Sequence, residues 1–260
     1  MHLIRSHMII RIYKSVVSCC IVGLMSACLI GCDRYPSRVC PSYVVFYSNM
    51  RSIDLRQVPD VAGCVMICPG GDLPAVSYSL LSEGEEKGEY DRLCRKHGDL
   101  SFNHRRQFLV PSESVGYNDK DFVSVEITSD AAFDESHPAG ANLADVVRFM
   151  SWSPCKFIDS GYSQYYHYDP SGLSDSFITV MPVYLAREFF LPETDATCYP
   201  IDKMVCDLEP EDLILLGHDD LRIGFLKFER MPANSGNHTI TVKMETDAGA
   251  VFEKSIEMTF

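Results

Sequence analysis

Tyr162, Tyr165, Tyr166, His167 and Tyr168 fall within the seven residues YSQYYHY. A phenol ring offers a broad apolar face and a hydroxyl, and tyrosine gives contact area at low entropic cost. These five residues are therefore the leading candidate binding surface, suited to a glycan or protein partner. The competing reading is a strand with Tyr166 and Tyr168 turned inward and their hydroxyls satisfied at its rim.

Other residue types that do chemistry are present without the spacing they need. Gly161-Tyr162-Ser163-Gln164-Tyr165 lacks the second glycine of a nucleophile elbow. His218-Asp219-Asp220 has ligand atoms but no second histidine at ligand spacing, so a polar turn accounts for it. Cys64-Val-Met-Ile-Cys68 lacks a second pair of the zinc kind. Asn118-Asp119-Lys120-Asp121 has neither the glycine nor the terminal glutamate of a calcium loop. No phosphate-binding loop, dinucleotide motif or His-Glu-x-x-His is found. We expect no catalytic residue, no metal and no cofactor. An extracytoplasmic hydrolase remains the alternative, built on a carboxylate pair or a metal near His167 or His218, because the separation of two carboxylates is a spatial matter. A structural spacer domain is the third reading.

Ser15 to Cys32 is a run of 18 residues without a formal charge, preceded by Arg5, Arg11 and Lys14. That arrangement has the basic and apolar regions of a secretory signal. The run closes on Leu29-Ile30-Gly31-Cys32, which resembles the lipobox of bacterial lipoproteins. The resemblance implies that Cys32 becomes the acylated N-terminus, held to a membrane by its diacylglyceryl group. An uncleaved transmembrane helix competes, although the run is near the lower length limit and is diluted by Cys, Ser and Gly.

The chain holds 23 basic and 36 acidic residues, a formal charge of −13. Removing residues 1–31 takes away three basic residues and no acid, leaving 20 against 36, or −16. Such a charge repels phosphate backbones and excludes nucleic acid as an expected partner. It also repels anionic lipid, so the anchor rather than a basic face would hold the protein to its membrane. Seven cysteines lie beyond Cys32, and some are expected to pair in an oxidising compartment, with Cys64 to Cys68 and Cys198 to Cys206 the nearest in sequence.

The elements that must position these residues read as mostly strands. Tyr43–Tyr47, Ala62–Ile67, Phe122–Thr128, Phe177–Leu185 and Leu221–Phe228 carry strand composition or alternation. His238–Glu245 and Val251–Phe260 alternate around Asp247-Ala248-Gly249, a three-residue hairpin loop. Leu143, Val146, Val147 and Met150 fall at helical spacing behind Asn142, which predicts a short amphipathic helix. Ser82–Lys96, rich in charge and interrupted by Gly84 and Gly88, reads as a solvated loop with one helical turn at Tyr90–Arg95. The expected fold is all-β, an antiparallel immunoglobulin-like β-sandwich with one or two short helices. The expected organisation is a signal peptide over 1–31, a tether over 32–39 and a β-rich globular region over 40–260, with a split into two sub-domains near 115–120 left open.

The lipobox, the joint His137-Pro138-Ala139-Gly140-Ala141-Asn142-Leu143 and the closing HTITVKMETDAG hairpin together resemble uncharacterised Bacteroidales lipoproteins with immunoglobulin-like or related β-sandwich mature parts. The resemblance implies an address in the cell envelope, facing periplasm or cell surface, and a fold. It carries no activity and no catalytic residues.

Overall fold

A computed structural model describes residues 37–71, 77–107, 116–184, 195–217 and 222–260. Cys32, the run before it and His218-Asp219-Asp220 lie outside the described residues. Contacts divide the chain into two units, one of Met1–Arg38 and Arg105–Leu109, the other of Val39–His104 and Val110–Phe260.

In chain order the described strands are β1 (Ser37–Cys40), β2 (Phe46–Ser48), β3 (Ile53–Gln57), β4 (Cys64–Pro69), β5 (Ser77–Ser79), β6 (His104–Gln107), β7 (Gly116–Asn118), β8 (Phe122–Ser129) and β9 (Val147–Ser153), all but β1 and β6 lying wholly in the larger unit. They continue with β10 (Tyr166–His167), β11 (Asp195–Ala196), β12 (Tyr199–Met204), β13 (Gly224–Phe228), β14 (Asn237–Thr246) and β15 (Val251–Thr259). Among the described residues three short α-helices accompany them, α1 (Gly84–Lys96), α2 (Cys155–Asp159) and α3 (Asp175–Tyr184). The fold is mostly β and sandwich-like. A five-stranded antiparallel sheet runs β12-β9-β13-β4-β3, and a three-stranded antiparallel sheet runs β15-β14-β8. A smaller sheet, β5-β2-β7, contains the parallel pair β2 and β7.

Period-two alternation explains how the large sheet is buried on both sides. Val65 and Ile67 of β4, Val147 and Phe149 of β9, and Leu226 and Phe228 of β13 point into one core. Facing them there are Phe122 and Ile127 of β8 and Ile240, Val242 and Met244 of β14. The opposite face presents Cys64, Met150, Trp152 and Phe225 to a second core, which α3 covers with Phe177, Val180 and Met181. The two sheets meet along one side, where the Gln57 amide donates to the Glu257 carbonyl at 2.8 Å and Lys254 lies 3.5 Å from Asp54. A third core gathers Tyr43, Val44 and Tyr47, Tyr90, Leu93 and Cys94 of α1, Tyr117, and Phe157 of α2.

Three local expectations are corrected. In place of the strand expected over Phe177–Leu185, α3 runs through Tyr184. The Ser174 hydroxyl accepts from the Phe177 amide at 3.1 Å as an N-cap, and buried Phe177, Val180 and Met181 sit at i, i+3 and i+4. The expected helix over Leu143–Met150 is a turn followed by β9. The Asn142 carboxamide accepts from Ala144 at 3.1 Å, the Val146 and Val147 amides both reach the Leu143 carbonyl, and β12 and β13 then claim the backbone from either side. Ladder pairing and two-sided burial outweigh an apolar spacing that happened to fit a helix.

Within Ser82–Lys96, expected as a loop with one helical turn, Gly84–Lys96 forms helix α1. Its stripe of Tyr90, Leu93 and Cys94 is buried, Glu85 and Glu86 open it, and Arg95 and Lys96 close it. Gly88 costs about 1 kcal/mol relative to alanine, which three buried side chains outweigh. The C-terminal hairpin forms as the sequence predicts, with Gly249 at φ 76° and its amide on the Thr246 carbonyl.

No disulfide forms among the described residues, which corrects the expectation that some of the seven cysteines pair. Cys64 and Cys68 lie on one strand, β4. Four residues of strand separate their Cα atoms by about 13 Å, well beyond disulfide reach. Strand β12 stands between Cys198 and Cys206 in the same way.

Candidate functional site

Helix α2 ends at Ser160, and the chain turns through Gly161 at φ 66° and Tyr162 at φ 63°. Left-handed backbone is strained for a tyrosine, and neighbouring groups hold it there. The Tyr162 amide donates to the Phe157 carbonyl at 2.9 Å, and its ring meets Phe102 and Phe157 at 5.2 and 5.7 Å. The Tyr162 hydroxyl donates to Asp99 at 2.9 Å. Tyr162 is thus turned toward the third core, and burial pushes its hydroxyl up to about 12.

The residues after it come to the surface. Tyr165 is 41% exposed and packs on Phe157 with ring centroids 5.0 Å apart. Tyr166 opens β10, paired with Ala196 of β11, and its ring lies 5.6 Å from that of Tyr199. The Tyr199 hydroxyl donates to the Gln164 carbonyl at 3.0 Å, and the Lys156 ammonium stands 5.4 Å from the Tyr199 ring centroid. His167 is exposed and Tyr168 half-buried. The structure therefore brings Tyr166 together with Tyr199 and Lys156, and it packs Tyr165 and Tyr162 on Phe157. Sequence reasoning missed Tyr199 and Lys156. Tyr199 is distant in the chain and joins only because β11 and β12 carry it beside β10, while Lys156 precedes the tyrosine run on a one-turn helix.

Asp99 itself is fully buried and accepts from the amides of Tyr43 at 2.6 Å and Val44 at 2.8 Å as well as from Tyr162. Burial raises its carboxyl above the ordinary value, and the three donors pull the other way.

A second buried network joins Asp121 to His97 Nε2 at 2.8 Å, Lys96 at 2.6 Å and the Leu215 amide at 3.2 Å. The Tyr47 hydroxyl lies 3.2 Å from the other ring nitrogen of His97. The order of groups is that of a hydrolytic triad, but the hydroxyl belongs to a tyrosine with no exposed surface. Ser129 Oγ and His238 Nδ1 are likewise 2.8 Å apart, both buried, with the Phe133 and Phe260 rings against the histidine. Neither pair meets solvent where a substrate could enter.

Cysteine chemistry is disfavoured in the same terms. Burial pushes the thiols of Cys64 and Cys155 up to about 12, so neither supplies a thiolate near neutral pH. Among the described residues no three His, Cys, Asp or Glu converge as metal ligands, and no helix is long and apolar enough to cross a membrane. Compared with protein-family models, with curated proteins and with solved structures, the chain matches none.

Proposed function

We propose that the chain is a non-catalytic binding module of the bacterial cell envelope, tethered through an acylated Cys32 and presenting its tyrosine surface to a glycan. The address rests on the sequence, from the basic residues through the apolar run to Leu29-Ile30-Gly31-Cys32. In this reading the mature part is an immunoglobulin-like sandwich, supported by two antiparallel sheets packed face to face and qualified by the extra helix layer of α3.

One observation carries the binding function: Tyr166 lies against Tyr199, whose hydroxyl holds the Gln164 carbonyl, and the adjoining Tyr165 is 41% exposed. The exposed part of such rings matches the apolar faces and hydroxyls of a pyranose. A glycan suits this better than a protein because the described surface is a small island of rings, without the broad apolar area of a protein interface.

The test is electrophoresis of the full chain in detergent micelles through gels holding neutral or acidic polysaccharides. Retardation that disappears in the Tyr165→Ala, Tyr166→Ala double variant, with circular dichroism unchanged, supports the reading. Retardation that survives the double variant removes this surface from it. No retardation by any polysaccharide overturns glycan binding.

A further inference from the structure

We infer that this surface selects a sugar bearing a single carboxylate, with Lys156 as the residue that reads it. This selectivity rests on the glycan-binding reading and narrows it to uronic-acid polymers.

Among the described residues, most lysines of this acidic chain are engaged by acids. Lys87, Lys96, Lys120, Lys203, Lys243 and Lys254 each have a carboxylate within 4.0 Å. Lys227 is half-buried and donates to the Phe228 carbonyl at 2.8 Å. Lys156 differs. It is exposed, and the group it meets among the described residues is the Tyr199 ring, 5.4 Å from ammonium to centroid. Asp159, three residues on and also exposed, does not close an ion pair with it.

An ammonium held over a ring keeps its three N–H donors, and those turned away from the ring remain free to bond. A carboxylate arriving beside Tyr199 would accept from them without displacing the cation from the ring. In this reading the rest of the sugar ring stacks on exposed Tyr165, which adjoins Tyr166, the residue whose ring lies 5.6 Å from that of Tyr199. Acid at C6 of a pyranose places a carboxylate at the edge of an apolar ring face, which is the juxtaposition of Lys156 with Tyr199 and Tyr166 seen from the ligand's side.

The charge count favours one negative charge over two. A single lysine, in a chain of formal charge −13, offsets one negative charge and would leave the second charge of a phosphate dianion uncompensated. Repulsion from the rest of the protein is screened beyond about 8 Å at physiological salt, so the contact itself sets the preference.

The experiment compares polygalacturonate with its methyl ester, the same sugar backbone with its carboxylates capped as neutral esters, against the full chain in detergent by affinity electrophoresis. We expect the acid form to bind about tenfold more tightly, the value of one charge-assisted hydrogen bond at a wet site. Lys156→Met should bring that ratio to about one while leaving affinity for the ester in place, and Tyr165→Ala should weaken both polymers together. Equal binding of acid and ester by the unaltered chain overturns the inference and leaves glycan binding standing. A ratio that survives Lys156→Met also overturns it. Failure of both polymers to bind overturns this inference, and the broader reading falls only if neutral polysaccharides fail as well.

Discussion

Replacing Asp121 by asparagine tests the buried network beneath α1. Burial alone would raise the Asp121 carboxyl; the hydrogen bond and charge of His97, followed by those of Lys96, outweigh it and bring the value down to about 2, from an ordinary 3.8. A drop of that size corresponds to about 2 kcal/mol of folding stability. The sign follows from linkage. The folded value is depressed, so the stabilisation is present in full above the unfolded value and is lost as pH falls from about 5 toward 2. Asp121→Asn keeps the shape and one acceptor for the Leu215 amide, while removing the charge that faces His97 and Lys96. Urea unfolding at pH 7 should show the variant about 2 kcal/mol less stable, and the difference between the two proteins should shrink toward zero by about pH 2. A difference that stays constant across that range, or is absent at pH 7, would show that the ion pairs do not stabilise the fold.

Two further substitutions address other parts of the molecule. His137 donates from Nδ1 to Asp134 at 2.7 Å and from Nε2 to Asp145 at 2.8 Å, which requires its protonated form. The Asp134 hydrogen bond, opposed by burial and aided by Asp145, raises its pKa, so the clamp is complete below about pH 6.5 and is lost as pH rises through the raised value. His137→Gln should remove an alkaline decline of about 0.5–1 kcal/mol from unfolding curves measured between pH 6 and 9, and an unchanged decline would refute the clamp. Phe177→Ala should cost about 3–5 kcal/mol in urea unfolding, because the ring is fully buried between α3 and the large sheet. A loss below about 1 kcal/mol would mean that α3 is not the cover that keeps this face dry.

Local patterns were legible where one neighbour decides them. The β14 and β15 hairpin is written in its alternation and in Asp247-Ala248-Gly249, and β8 shows the polar and apolar faces of a half-covered strand. The same reasoning failed where the large sheet is covered on both sides. Strand β9 buries Phe149 on one face and Met150 and Trp152 on the other, so its sequence has no polar face to mark the period. The apolar run of α3 looks like a buried strand for the matching reason, since a helix lying on a sheet is apolar over much of its circumference there, and only Ser174 and Asp175 announce its start.

The aspartates were illegible for a different reason, since their partners are remote. Strand β2 spans only Phe46–Ser48, so the amides on either side of it have no ladder to join. A buried amide must be paired, and carboxylates take that part here. Asp99 receives Tyr43 and Val44, and Asp119 receives Met50 at 2.8 Å, across separations of 56, 55 and 69 residues. The third donor on Asp99 is the Tyr162 hydroxyl. One buried carboxylate thus fixes both the approach to β2 and the left-handed turn from which Tyr165 and Tyr166 emerge. Aromatic content marked the segment in the sequence, but its placement comes from an aspartate 63 residues earlier in the chain.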